Sequence, residues 1–203
     1  MTKIKICGCR TPADIQHAAE AGADFVGIVV AENTKRYVSP RDRSSLVAAA
    51  RDFDIPLVCV LRDNPKPQDQ SEADHWYPGD MVQWHGHEDE SWSLIDCRPS
   101  IRAVAGAKGL LEHAGFPCRH FLLDHDRPGS GHAFDWGSLE GSRLPEEWFL
   151  AGGLNAGNVE NAIRTLKPWA VDVSSGVESS PGVKCREKIQ EFVDAVRRAD
   201  HKA

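Results

Sequence analysis

The stretch KIKICGCRT, residues 3–11, puts two lysines and a cysteine on one side of a short strand and two isoleucines on the other. Side chains alternate along a strand, so Lys3, Lys5 and Cys7 share a face opposite Ile4 and Ile6. Both faces need an environment. The stretch AVDVSS, 170–175, supplies one, with Asp172 and Ser174 on one face of another strand. If these two strands are neighbours in a closed barrel, Lys5 and Asp172 form an interior ion pair, because a lone buried charge costs several kcal/mol. The polar face then points inward and the isoleucines pack outward against helices. Cys7 lies one layer above Lys5, at the barrel mouth.

The chain between them reads as alternating apolar runs and helical patterns. IKIC (4–7), DFVGIVV (24–30), PLVCVL (56–61), MVQWHG (81–86), SIRAVA (100–105), HFLLDH (120–125), WFLAGG (148–153) and AVDVSS are eight strands. TPADIQHAAEAG (11–22) is a helix with Thr11 as N-cap, Pro12 at the first helical position and Gly22 as its stop. SPRDRSSLVAAARDF (39–53), KGLLEHAG (108–115), NVENAIRTL (158–166) and KCREKIQEFVDAVRRA (184–199) supply further helices. The connections after strands three, four and six are the weak places. The polar, proline-rich DNPKPQDQSEADHWYPGD (63–80) predicts a short or displaced helix. Eight strands with intervening helices predict an α/β fold, a (β/α)8 TIM barrel spanning residues 1–203 as a single domain.

Bulk composition agrees. The 203 residues are 41% hydrophobic and 27% charged, with a formal charge of −6. No Lys/Arg-rich run points to nucleic acid, and no apolar run of about 18 residues points to a membrane span. The first strand starts within three residues of the N-terminus, so no signal peptide is expected. The six cysteines (7, 9, 59, 97, 118, 185) are scattered in or beside apolar runs and read as reduced thiols of a cytoplasmic protein. Cys7-Gly-Cys9 lacks CxxC spacing, so it is a poor metal pair even with His85 and His87 available, and no metal site is expected.

In such barrels the chemistry sits on loops at the C-terminal ends of the strands. That rule selects Cys7 and Gly8, Arg36, His85, Asp124, Gly152 with Gly153, and Ser174, Ser175 and Gly176. Glycine loops admit an anion close to backbone N–H groups, and the loops after strands seven and eight are the usual phosphate site of this fold. Either loop alone would read as turn geometry; the two on adjacent strands favour phosphate. Asp124 could serve as an acid if its pKa is raised, or could cap a turn, with Asp126 as a competitor. Cys7, unperturbed pKa about 8.5, could serve as a base if helped to ionise, or be a small buried hydrophobe. Arg36, in NTKRYVSPR (33–41), could clamp a carboxylate with two hydrogen bonds, or be a solvated loop cation. Gln83 and His85 share the inward face of strand four as polar packing and pocket wall.

Six blocks, in order, resemble phosphoribosylanthranilate isomerases of tryptophan biosynthesis: KICG (5–8), KRYVSPR (35–41), VQWHG (82–86), LLDH…GSGHAFDW (122–136), LAGGLNAGNV (150–159) and VDVSSGVESSPGVK (171–184). The resemblance runs nearly end to end. It implies an Amadori rearrangement of an N-linked phosphoribosyl substrate by general acid/base catalysis, without a cofactor. Cys7 matches the family's base at C2, Asp124 its acid at the ring oxygen, Arg36 its anthranilate-carboxylate residue, and the glycine loops its phosphate site. His85 falls on the pocket wall. The implied partner is this small-molecule substrate, on a monomer or homodimer. Pro128 and His132 replace a glycine and a lysine of the family's usual GGTGK, and Lys184-Cys185 stands for its usual Lys-Asp. Two rivals remain. One is the related aminoaldose isomerase of histidine synthesis, or an enzyme serving both pathways; the histidine-pathway substrate carries two phosphates, and those barrels typically place an aspartate at the position of Cys7. The other is a phosphosugar-binding scaffold without activity.

Overall fold

A computed structural model describes residues 1–124 and 144–201. Its eight barrel strands are β1 (Lys3–Cys7), β2 (Phe25–Val29), β3 (Leu57–Leu61), β4 (Met81–Trp84), β5 (Ser100–Ala105), β6 (His120–Asp124), β7 (Trp148–Leu150) and β8 (Ala170–Val173). They close in sequence order into a parallel barrel. The helices are α1 (Pro12–Ala21), α2 (Pro40–Asp52), α3 (Gln70–Trp76), α4 (Gly106–Glu112), α5 (Val159–Leu166) and α6 (Arg186–His201).

The opening stretch behaves as its alternation requires. Ile4 and Ile6 join the large cluster between sheet and helices. Cys7 joins Val58, Val60, Met81, Ile101, Leu122 and Phe149 inside the barrel. Lys5 lies opposite Asp172 in the β1–β8 register, with Nζ 2.8 Å from Oδ1. Lys3 departs from the reading: it sits at the rim of the barrel's N-terminal end, exposed, and pairs with Asp24 at 2.7 Å. Below the charged layer, aromatic rings plug the barrel. Phe25 meets Phe149 at 5.8 Å, and His120 stacks on Trp169 at 4.8 Å. The mouth at the strands' C-terminal ends is therefore the end left for a ligand.

Helix α1 starts as its sequence dictates. The Thr11 side chain accepts from Asp14 N–H, the Asp14 carboxylate accepts from Thr11 N–H, and Gly22 ends the helix at φ 94°. The connections differ more. After β3, α3 is seven residues long, as the proline-rich segment leads one to expect. After β4 comes only a 3-10 turn, Glu90–Trp92. After β8 the chain forms a 3-10 turn (Ser175–Val177) and then a hairpin, β9 (Glu178–Ser180) with β10 (Val183–Lys184). The last helix consequently starts at Arg186, two residues later than the pattern suggests. That hairpin matters for the site. The expectations that fall on Asp126, Pro128, His132 and the rest of 125–143 lie outside the described residues.

Candidate active site

Parity along the strands brings the candidates together. Leu122 faces the interior, so Asp124, two residues on and last in β6, faces the mouth. By the same rule Met81 sets Gln83 and His85 inward. His85 Nε2 stands 3.6 Å from Asp124 Oδ2, and Gln83 Nε2 is 3.3 Å from His85 Nδ1. The expected pocket-wall histidine thus contacts the candidate acid. Burial lowers the His85 pKa and outweighs the opposing pull of Asp124, so the ring is neutral at pH 7.

Cys7 ends β1 with 7% of its surface exposed. Gly27, its neighbour on β2, keeps that corner open. A methyl group there would lie 3.1 Å from Cys7 Sγ and 3.2 Å from Lys5 Nζ. Burial raises the Cys7 pKa. Lys5 and Lys184 oppose this and Asp172 reinforces it, and the net direction is upward. The help expected from Lys5 is therefore only partial. Burial would lower the pKa of Lys5, but Asp172 and Cys7 together outweigh it and keep the ammonium charged, shared between its ion pair with Asp172 and the Cys7 thiol. Cys9 is remote from this chemistry. It packs in the outer cluster, its thiol directed at Ile6 O. Cys7 and Cys9 thus lie on opposite faces of the sheet. His87 is solvent-exposed beside Asp63. Among the described residues, no three His, Cys, Asp or Glu side chains come together in a way that could hold a metal ion.

Arg36 follows β2, where Tyr37 bridges back to Val29 and Val38 N–H donates to Val29 O at 2.8 Å. Its stem crosses directly over Gly8. A Cβ on Gly8 would come within 2.6 Å of Arg36 Cδ, and φ there is +80°, so the position suits glycine twice over. Arg36 is not the solvated cation that a loop position suggests. Glu178 of the unforeseen hairpin accepts from its Nε at 2.7 Å and from its Nη2 at 2.9 Å. Glu178 is 6% exposed and also accepts from Lys184 Nζ at 2.9 Å and from Gly182 N–H at 3.1 Å. Burial by itself would raise the Glu178 pKa, but the hydrogen bonds from Arg36 and Lys184 bring it down to about 2. Nothing in the residue's sequence neighbourhood marked it: a glutamate in a Ser/Gly-rich loop reads as a solvated charge.

The two glycine loops adjoin. Gly152 and Gly153 turn out of β7 with φ 88° and 67°. Gly176 packs so closely on Leu154 O that a Cβ would approach within 2.0 Å. Ser175 is exposed beside it, and Lys184 Nζ reaches back to Ser174 O at 3.1 Å. A cavity of about 820 Å³ on the barrel flank, walled by Arg102, His113 and Phe116, is bordered by none of these residues.

Residues 4–195 match the family model described as PRAI, N-(5'phosphoribosyl)anthranilate (PRA) isomerase. An N-(5'-phosphoribosyl)anthranilate isomerase of Dechloromonas aromatica is 42% identical over 206 residues, covering 98% of each chain. The crystal structure of the phosphoribosyl anthranilate isomerase from Thermotoga maritima superposes with a TM-score of 0.85 at 31% identity, covering 98% of this chain and 100% of that one. A further isomerase structure is a complex with reduced 1-(o-carboxyphenylamino)-1-deoxyribulose 5-phosphate. It has a TM-score of 0.83 and 30% identity, and covers 98% of this chain and 100% of that one.

Proposed function

Because the chain belongs to the N-(5'-phosphoribosyl)anthranilate isomerase family, whose reaction in tryptophan biosynthesis it performs, we propose how its own residues divide that reaction. The substrate is a phosphoribosyl group on the nitrogen of anthranilate. The product is the open-chain 1-(2-carboxyphenylamino)-1-deoxyribulose 5-phosphate.

Asp124, entering protonated, gives its proton to the ring oxygen as the C1–O bond breaks. The nitrogen lone pair forms a C1=N iminium and the sugar opens. The Cys7 thiolate removes the C2 proton. That electron pair becomes the C1=C2 bond, and the C=N pair returns to nitrogen. The enolamine so formed takes a proton at C1 and loses the C2 hydroxyl proton, giving the ketose. Only protons move, so the reaction requires no redox partner. Burial makes Cys7 a strong base when ionised, and Lys5 and Lys184 are the cations that support its thiolate. His85, beside Asp124, forms the wall behind the acid. Arg36 holds the anthranilate carboxylate. Gly152, Gly153, Ser175 and Gly176 hold the phosphate through backbone N–H groups.

The observation that most supports this division is the shared orientation of Cys7 and Asp124. Both are inward-facing last residues of their strands, at the barrel end opposite the plug of aromatic rings. The test is turnover of phosphoribosylanthranilate by the purified protein, followed by loss of its fluorescence, with Cys7→Ala as the comparison. Turnover that vanishes in the variant supports the assignment. Undiminished turnover in Cys7→Ala removes Cys7 as the base. Robust turnover of the histidine-pathway aminoaldose, with none of phosphoribosylanthranilate, would overturn the substrate.

A further inference from the structure

The Arg36–Glu178 pair raises a question of stoichiometry. A guanidinium carries five N–H donors in a rigid plane. Glu178 takes Nε–H and one Nη2–H, and Arg36 makes no other hydrogen bond among the described residues. Of the three remaining donors, one on Nη1 and one on Nη2 form the end edge of the same guanidinium, next to the edge that Glu178 occupies. That edge has the geometry of a second bidentate carboxylate contact.

Glu178 is not a stand-in that a ligand could displace. Four donors hold its carboxylate: two from Arg36, one from Lys184 and the Gly182 N–H. Its own carbonyl accepts from Lys188 Nζ at 2.7 Å. The hairpin tip is pressed on the segment that carries Arg36, since a Cβ on Gly182 would come within 2.4 Å of Lys35 O. Glu178 also sets the local charge. It sets one negative charge among the cations of Arg36, Lys184 and Lys188.

We propose that Glu178 is a positioning and specificity-determining residue: it fixes the plane of Arg36 so that the outer Nη1/Nη2 edge meets an arylcarboxylate. The proposal rests on the assignment of Arg36 as the carboxylate clamp. Through Lys184 and Ser174, the same hairpin ties that clamp to the β8 phosphate loop, so the two ends of the substrate are gauged against one rigid element.

The test uses two ligands of the intact protein: reduced 1-(o-carboxyphenylamino)-1-deoxyribulose 5-phosphate and its counterpart made from aniline, which lacks the carboxylate. Affinities are measured by titration calorimetry for wild type, Glu178→Gln and Glu178→Asp. Glutamine keeps the shape but turns one acceptor into a donor facing donors. Aspartate keeps the charge but falls one carbon short. Both variants are expected to weaken the carboxylated ligand at least about tenfold and to leave the aniline ligand within about twofold, the size set by one charged hydrogen bond. In turnover the loss should fall on KM more than on kcat. Equal weakening of both ligands would reduce Glu178 to a structural residue and overturn the proposal. Unchanged affinity for the carboxylated ligand in both variants would overturn it too. A wild type that binds both ligands alike would overturn the Arg36 clamp, and the proposal with it.

Discussion

Lys5 and Asp172, 167 residues apart in the chain, meet inside the barrel with Nζ and Oδ1 2.8 Å apart, where the first strand closes on the eighth. The lysine side chain is fully buried. Such a pair is costly to break from one side, because the survivor becomes an unpaired buried charge. Lys5→Met is expected to destabilise the protein by about 3–5 kcal/mol, and Lys5→Met/Asp172→Leu to recover most of that loss. Denaturant unfolding of the wild type and both variants checks this. A single variant as stable as the double would show that the pair does not carry the closure.

The proposed acid and base make separable demands. Cys7→Ala and Asp124→Asn are each expected to lower kcat by at least about 100-fold, the lower range for losing a positioned proton-transfer group. Arg36→Ala should act on KM more than on kcat, because it removes ground-state binding. Steady-state kinetics on the three variants distinguishes the roles. Near-normal kcat in either of the first two removes that residue from the chemistry.

Burial raises the Cys7 pKa, so the thiol is protonated at neutral pH. Alkylation by iodoacetamide needs the thiolate, so inactivation should speed up by about tenfold per pH unit and still be rising above about pH 8.5. The reduced product analogue should protect. Levelling well below that pH would mean that Lys5 and Lys184 win over desolvation.

Gly27 is the empty corner beside the base. A methyl group there would stand 3.1 Å from Cys7 Sγ and 3.2 Å from Lys5 Nζ. Gly27→Ala should cost about 1–3 kcal/mol of stability through overpacking. It should also lower kcat with little change in KM, since it displaces the thiol rather than either binding loop. A variant with wild-type kcat would show that the corner can relax.

Glu178 also predicts acid behaviour. Its carboxyl titrates at about 2 in the fold against an ordinary value of 4.5. A depressed folded pKa stabilises above the unfolded pKa, and that stability is lost as pH falls through the folded one. The group therefore contributes about 3 kcal/mol at neutral pH, declining between roughly pH 4.5 and 2. The stabilities of wild type and Glu178→Gln, followed by thermal unfolding, should differ at pH 7 and converge near pH 2. A constant difference would place the role of Glu178 elsewhere.

Much of this is legible in the sequence. Eight apolar runs with period-two parity, the Thr11–Pro12 start and Gly22 stop of α1, and the polar face of β1 opposite Asp172 are local patterns. They led to a closed barrel and to its inner ion pair. Cys7 and Asp124 are candidates in the sequence because a barrel's chemistry collects at the C-terminal strand ends, and both residues lie at that mouth. The hairpin at 178–184 was not found: strands of three and two residues leave no periodicity to read. The proximity of His85 to Asp124 was not found either, because β4 and β6 are not neighbours and meet only across the mouth.

The division follows from range. Alternation, capping and turn chemistry act over a few residues, so the sequence by itself determined the strands, their inward faces and the identity of the groups at the mouth. Beyond the Lys5–Asp172 pair, which barrel closure implies, which charge meets which depends on contacts between segments distant in the chain. Only the tertiary structure decided that Arg36 is held edge-on by Glu178, 142 residues away, and that desolvation rather than Lys5 dominates the thiol of Cys7. Burial and pairing are properties of the closed barrel, and no local stretch of the chain contains them.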